Sequence, residues 1–464
     1  MKKTVEKPEG KLALNYKRTF IIGFAFFGIL MLWQVYNTYC PPILTILLTR
    51  QLGQTEEEVQ YLVGVLMAMD NVFALFMLPL FGWLSDRTRS RLGKRIPYII
   101  VGTVLSAIAL ILLPVAYAYN SLVGFIVAMA LVLIFMQAYR NPAVALMPDI
   151  TPKPLRAKAN GIINLVGYLG AIMAGVIAMI IVPKEYFGEA EISFGIYVPF
   201  IIAGVLMIAS MLVLALTIKE NKILDEMKYE LERGEFEAEV EEPLIEDQKL
   251  SKKNKRTLIL LIVAIFLWFA AFNAVETFWS NYSTFYLDFN MFSFAIIVLT
   301  ISSLISFVPA SILSEKISRK WTIVIGLGLM ILAMLGIFFV GPLFLPQYVT
   351  VTFPFAIVYF VFFAIGGVGW ALINCCSYPM VVELADSKSI GKFTGIYYAA
   401  SMLAQSLTPI ALGALIGVPN FNWAVMFPYS TILFVAALVV FIFVQGGKSK
   451  KVPTKKGLEV FDQD

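Results

Sequence analysis

Three full charges stand well inside long apolar runs of this chain: Asp70, Arg140 and Glu276. A charge at the centre of a membrane-crossing helix costs roughly 2.5–3.5 kcal/mol on insertion scales, so each should face a protein interior or a wet cavity. A carboxylate held there can take up a proton or ligate sodium. Asp70 is the first candidate for such an ion site and Glu276 the second. Arg140 offers a planar fork of donors that suits a solute hydroxyl or carboxylate, and it can equally act as a switchable counter-ion. The plainer alternative is a buried ion pair that only ties helices together. Helical rise sets the depths. Asp70 lies sixteen residues before Asp86, roughly 24 Å from that boundary. Arg140 lies nine residues before Asp149, about 13–14 Å in. Glu276 follows Arg256 by twenty residues, at a depth comparable to Asp70. A direct Asp70–Arg140 contact would need helix tilt or a stretched arginine.

Around these charges the apolar runs carry amides and aromatic rings. The first run holds Trp33, Gln34, Tyr36, Asn37 and Tyr39, and the seventh holds Trp268, Asn273, Trp279 and Asn281. Asn164 and Tyr168 come from the fifth, Trp370 and Asn374 from the tenth. Amides bond to hydroxyls and ring faces stack on C–H surfaces, so the mixture suits a hydroxyl-rich ring. Trp33, Gln34, Asn37, Asn164, Tyr168, Trp268, Asn273, Trp370 and Asn374, with Arg140, form the expected solute-binding set. Single aromatics also pack between helices or sit at membrane interfaces. What distinguishes this set is that Asn37 and Asn273 fall at corresponding places in the two halves.

A third group is charged and lies between runs. Gly82–Arg95 reads GWLSDRTRSRLGKR, and Ser311–Lys320 reads SILSEKISRK. Pro142 is followed seven residues on by Asp149, and Pro379 seven on by Asp386. A carboxylate at a helix end can hold basic groups in one conformation and release them in another. Gly82, Asp86, Arg87, Gly93, Lys94, Arg95, Asp149 and Arg156 are expected to form such a lock. Glu315, Lys316, Arg319 and Asp386 would be its weaker second copy. The alternative is charge that only sets topology.

Of the 464 residues, 59% are hydrophobic and 14% charged, with a mean hydropathy of +0.81. That composition excludes disorder and argues against a soluble enzyme. Hydropathy predicts twelve spans, near 19–48, 59–84, 96–118, 121–147, 158–182, 193–218, 257–286, 291–314, 321–342, 350–382, 393–417 and 423–445. The basic residues crowd the loops after the even spans 2, 4, 8 and 10, which predicts that both termini lie in the cytoplasm. Residues 1–18 form a basic arm, 19–218 and 257–445 two six-span bundles, 219–256 a polar linker with a short surface helix near 223–231, and 446–464 a tail. The repeated motifs, roughly half the chain apart, mark the bundles as two copies of one membrane unit, a pattern of secondary transporters. Histidine is absent, and Cys40, Cys375 and Cys376 all fall in apolar runs. Neither His-based metal chemistry nor a disulfide framework is expected. The net charge of +5 is modest, and the clustering of basic residues in short loops suggests membrane orientation rather than nucleic-acid binding.

The GxxxDR motif at Gly82–Arg87, its second copy and the twelve spans resemble the major facilitator superfamily along the whole chain. TRSRLGKRIPYI (Thr88–Ile99), RNPAVALMPDITP (Arg140–Pro152) and RAKANGIINLVGYLG (Arg156–Gly170) resemble the sucrose/proton symporters and the glycoside–pentoside–hexuronide:cation symporters, which include the melibiose carrier. The resemblance implies a cell-membrane symporter of a glycoside or disaccharide, working by alternating access as a monomer and driven by an ion gradient without a cofactor. The melibiose carrier's sodium-site carboxylates align with Ala74, Leu78 and Arg140, none of them acidic, so a proton is the expected ion. Sodium coupling, a lysolipid-type substrate and drug/proton antiport are the alternatives. The last lacks its usual proline in Gly167–Gly175, GYLGAIMAG.

Overall fold

The computed structural model describes residues 12–180, 194–241, 252–287, 292–339, 353–382, 384 and 390–446. These residues are helical almost throughout. In chain order the helices are α1 (Tyr16–Leu52), α2 (Gln60–Arg87), α3 (Ile96–Ala118), α4 (Leu122–Asp149), α5 (Arg156–Ile180), α6 (Val198–Thr217), α7 (Glu220–Glu241), α8 (Lys252–Asn281), α9 (Phe292–Ile317), α10 (Arg319–Phe338), α11 (Phe353–Val382), α12 (Ile390–Ile416) and α13 (Met426–Ile442). All except the polar α7 are, with their flanking turns, among the twelve segments long and apolar enough to cross a membrane. The linker helix is longer than the expected 223–231.

Local chemistry sets the ends. Asn15 caps α1 by accepting from the Arg18 N–H at 3.0 Å, and Gly53, with φ 67°, closes it through its own N–H. Thr55 and Glu58 form a reciprocal capping box just before α2, at 2.9 and 3.4 Å. Helix α1 runs through Pro41 and Pro42, and the Thr45 hydroxyl takes up the Pro41 carbonyl at 3.0 Å. At its far end α8 passes into a π-helical turn, Tyr282–Tyr286.

Two compact units emerge: Met1–Leu244 with Asn290–Ser293, and Ile245–Phe289 with Phe294–Asp464. Within the first, α1 packs on α5 and α6, and α3 on α4 and α6. Within the second, α8 packs on α12 and α13, and α10 on α11 and α13. The pairing repeats with an offset of six spans, as the duplicated motifs imply. The α1–α5 seam is close enough that a Cβ on Gly170 would lie 2.2 Å from the Phe27 carbonyl oxygen. Small residues let membrane helices approach in this way.

Candidate functional site

In the first unit Asp70 is buried, 7% exposed. Its Oδ1 accepts from the Asn71 backbone N–H at 2.5 Å and from the Asn71 amide at 2.7 Å. Arg140 is half-buried and its guanidinium lies 5.5 Å from the centre of the Trp33 ring, joining α4 to α1. Other members of the expected set turn to their own helices. Gln34 donates to Thr38 at 3.2 Å and Asn164 to the Asn160 carbonyl at 2.8 Å. Asn37 and Tyr168 are half-buried.

In the second unit Phe269, Phe272, Asn273 and Glu276 share one side of α8, and Trp370 of α11 meets the two rings there. Phe272 stacks flat on Trp370, centroids 3.8 Å apart and planes 7° off parallel. Phe269 meets both Trp370 and Tyr397 edge-on. One turn beyond Phe272 stands Glu276, which is hydrogen-bonded to Asn273. Asn273 also accepts from Thr277 at 3.4 Å. Asn374 donates to the Trp370 carbonyl at 3.0 Å. Glu276 is reachable by solvent although protein surrounds it, whereas Asp70 is closed off. Trp268 departs from expectation more sharply. It is fully buried and meets Phe441 of α13 edge-on at 5.9 Å, so no face of the ring is open to a solute in this conformation. The reason is helix phase: Trp268 shares the α13-facing stripe with Ala271, whose carbonyl accepts from Ser430 of that helix.

At the end of the first unit that carries the basic loops, Arg95 is the hub. Its side chain is 6% exposed. Nε donates to Asp149 at 2.8 Å, Nη2 to Asp86 at 2.5 Å and Nη1 to the Ser85 hydroxyl. Lys94 adds a second cation to Asp149 at 3.1 Å. Burial works against the Arg95 charge, but the bonds and charge of Asp149 and then Asp86 more than offset it, and its pKa is raised. One guanidinium thus ties the ends of α2 and α4 to the start of α3. A Cβ on Gly82 would lie 2.5 Å from the Asn141 amide, so glycine is what lets α2 meet α4 there.

Two expected members stand elsewhere. Arg87 points outward and lies 4.0 Å over the Trp83 ring, one turn back on its own helix. Arg156 donates to the Pro148 and Thr151 carbonyls at 2.9 and 3.2 Å, closing the end of α4 rather than pairing with a carboxylate. A central residue of this end was not foreseen. Glu220, the first residue of the linker helix α7, is 0% exposed. Its carboxylate accepts the backbone N–H groups of Lys94, Arg95 and Ile96 at 3.0, 2.9 and 3.2 Å. It satisfies the orphan donors that open α3 and meets the positive end of the helix dipole. Gly93, φ 115°, makes room: a Cβ there would collide with Glu220. Asn221 then donates to the Ser90 and Arg91 carbonyls at 3.0 and 3.2 Å.

The second copy shares a positive-φ turn just ahead of its basic pair. Ser318, just ahead of Arg319 and Lys320, takes φ 123° and ψ 154°, where the first copy has Gly93. Glu315 and Lys316 are exposed, Arg319 is half-buried, and Lys320 donates to the Ile442 carbonyl at 2.7 Å. Asp386 lies outside the described residues. Ser318 occupies a region that only glycine adopts freely, at a cost of about 1–3 kcal/mol, and glycine forfeits only a few tenths as a cap. Ser318→Gly is therefore expected to stabilise the protein by about 1–2 kcal/mol. Thermal unfolding of the purified protein checks this; an unchanged or lower melting temperature refutes it.

Comparison with known proteins agrees with this architecture. The sequence has no significant match among curated proteins. Solved structures do match in fold. A point mutant of the peptide transporter POT in complex with sulfate aligns at TM-score 0.67 and 16% identity, over 92% of this chain and 93% of that one. A bacterial homolog of the human lysosomal transporter Spinster, inward-facing and occupied, aligns at 0.64 and 14%, over 92% and 96%. The inward-open xylose transporter XylE from E. coli aligns at 0.60 and 14%, over 94% and 96%. The family model of the Major Facilitator Superfamily matches residues 19–409 and 284–461. With its twelve spans and its duplicated helix pairing, the chain belongs to the Major Facilitator Superfamily: it is a multi-pass membrane protein and a secondary transporter.

Proposed function

We propose that the protein is a proton-coupled symporter of a glycoside or disaccharide, acting in the cell membrane as a functional monomer by alternating access. The observation that carries this is Asp70, a carboxylate buried mid-span in the first unit. One proton taken up and released there per cycle couples solute movement to the proton gradient. Arg140 on the Trp33 ring supplies a donor fork beside an aromatic face. In the second unit the Phe272–Trp370 stack, with Asn273, Asn374 and Glu276, offers rings and amides of the kind that bind hydroxyl-rich solutes. Glu276 is the second candidate for the coupling ion. The bonds among Asp86, Arg95, Lys94 and Asp149 supply a lock that a conformational cycle can open and close. The fold alone does not choose the solute, since structures named for peptides and for xylose share it.

The test is external pH. De-energised cells expressing the protein are given a panel of disaccharides and glycosides in weakly buffered medium. A rise in pH with one sugar, absent from control cells, is expected. With surface expression verified, no rise with any sugar refutes proton–sugar symport and shifts weight to sodium coupling or a lysolipid-type solute.

A further inference from the structure

Two polar side chains in the first unit have no part in the site so far. Tyr36 and Gln137 are both fully buried. Among the described residues the Tyr36 hydroxyl and both amide atoms of Gln137 have no hydrogen-bond partner. Buried polar groups are so generally paired that each exception asks what pairs it in another state.

Their position follows from contacts of their neighbours. A Cβ on Gly102 of α3 would touch Tyr139, so that face of α4 meets α3. Gln137, two residues back, faces the other way, with Arg140 and Asn141. Arg140 reaches Trp33 of α1, and Asn141 donates to the Leu78 carbonyl of α2 at 2.5 Å. Helices α1 and α4 cross the membrane in opposite senses. One turn on from Trp33 and one turn back from Arg140 bring Tyr36 level with Gln137. Helices α2 and α4 run in the same sense, so one turn back from Leu78 is Ala74 and the next is Asp70. Side chains lean toward the start of their helix, which carries Gln137 toward the level of Asp70. Asp70 is within electrostatic reach of the Tyr36 hydroxyl. The two orphaned groups therefore lie between the levels of Asp70 and Arg140.

We infer that Gln137 and Tyr36 are a hydroxyl-recognition pair, closed off in this conformation and used in another to bind adjacent hydroxyls of a neutral polyhydroxy solute. The inference rests on the sugar symporter proposed above and adds a contact to it. The amide supplies an acceptor and two donors, and the phenol one of each, which matches ring hydroxyls that both give and take. A carboxylate only accepts, and it would leave the Gln137 oxygen unpaired beside Asp70. An acyl chain would leave all three atoms unpaired.

Gln137→Met and Tyr36→Phe remove the polar atoms at nearly constant volume. The full-length protein and both variants are purified, melted without solute, and assayed in proteoliposomes with the glycoside that the wild type transports. Melting temperatures at or above wild type are expected, because no hydrogen bond of this conformation is lost. The KM for the glycoside should rise roughly tenfold or more in each variant. A lower melting temperature would assign the pair to the fold, and an unchanged KM would exclude contact with solute; either overturns the inference. If the wild type takes up no glycoside of the panel, the sugar proposal fails and the pair falls with it. If it does and the variants match it, the pair alone fails.

Discussion

Asp70→Asn is expected to abolish accumulation of the solute while leaving exchange across the membrane intact. Asparagine has the same shape, and its carbonyl oxygen can go on accepting the two bonds that Asn71 gives. What it loses is the ability to ionise. One elementary charge moved through 100 mV is worth about 2.3 kcal/mol, which at 1.4 kcal/mol per decade supports roughly 40-fold accumulation. Without a group that binds and releases a proton, that ratio should fall to about one. Labelled solute in energised vesicles measures it, and counterflow with unlabelled solute inside reports whether binding and rocking survive. Concentrative uptake by Asp70→Asn would move the coupling role elsewhere, first to Glu276. Replacing sodium by choline in wild-type vesicles separates the two ions, because accumulation that vanishes without sodium argues against a proton.

Hydropathy and the charge-marked repeat were enough to read twelve spans and a doubled unit, because a spanning segment must be long and apolar whatever it packs against. The pairing of α1 with α5 and of α8 with α12 is the structural counterpart of that repeat. Helix phase was harder to read. Trp268 and Trp370 are alike by type and by depth, and only their neighbours separate them: one meets Phe441 in the core and the other stacks on Phe272. Among five basic residues close in sequence, Arg87, Arg89, Arg91, Lys94 and Arg95, composition cannot say which turns inward. The turn at Gly93 precedes Arg95, which meets Asp86 and Asp149, whereas Arg87 stays on its own helix over Trp83. Glu220 was out of reach for a different reason. It meets Lys94 across 126 residues of chain, and nothing local marks a linker glutamate as a helix cap. Gln137 left a sign in the sequence, an amide within an apolar run. Its want of a partner is a property of packing alone.

Arg95→Ala should be the most destabilising substitution at the lock. Its side chain is buried and serves three acceptors at once. Removing one partner of a fully buried ion pair costs about 3–5 kcal/mol. Here Asp86 and Asp149 are 60% and 22% exposed and recover part of their hydration, so roughly 2–4 kcal/mol is expected. Arg95→Lys should recover only a fraction of the loss, since a single ammonium cannot span Asp86, Ser85 and Asp149 as a planar fork does. Glu220→Ala attacks the same few residues from the other side, exposing three backbone N–H groups at the start of α3. Because both side chains fix one segment, the double variant should lose less than the sum of the singles. Melting of the wild type, Arg95→Ala, Glu220→Ala and the double variant reads this directly. Strict additivity would mean that Glu220 holds the linker helix without bearing on Arg95. A melting temperature for Arg95→Ala equal to wild type would show that the cluster only sets topology. If the coupling is found, the linker does more than join two bundles: its first residue sets the backbone from which the lock's arginine is aimed.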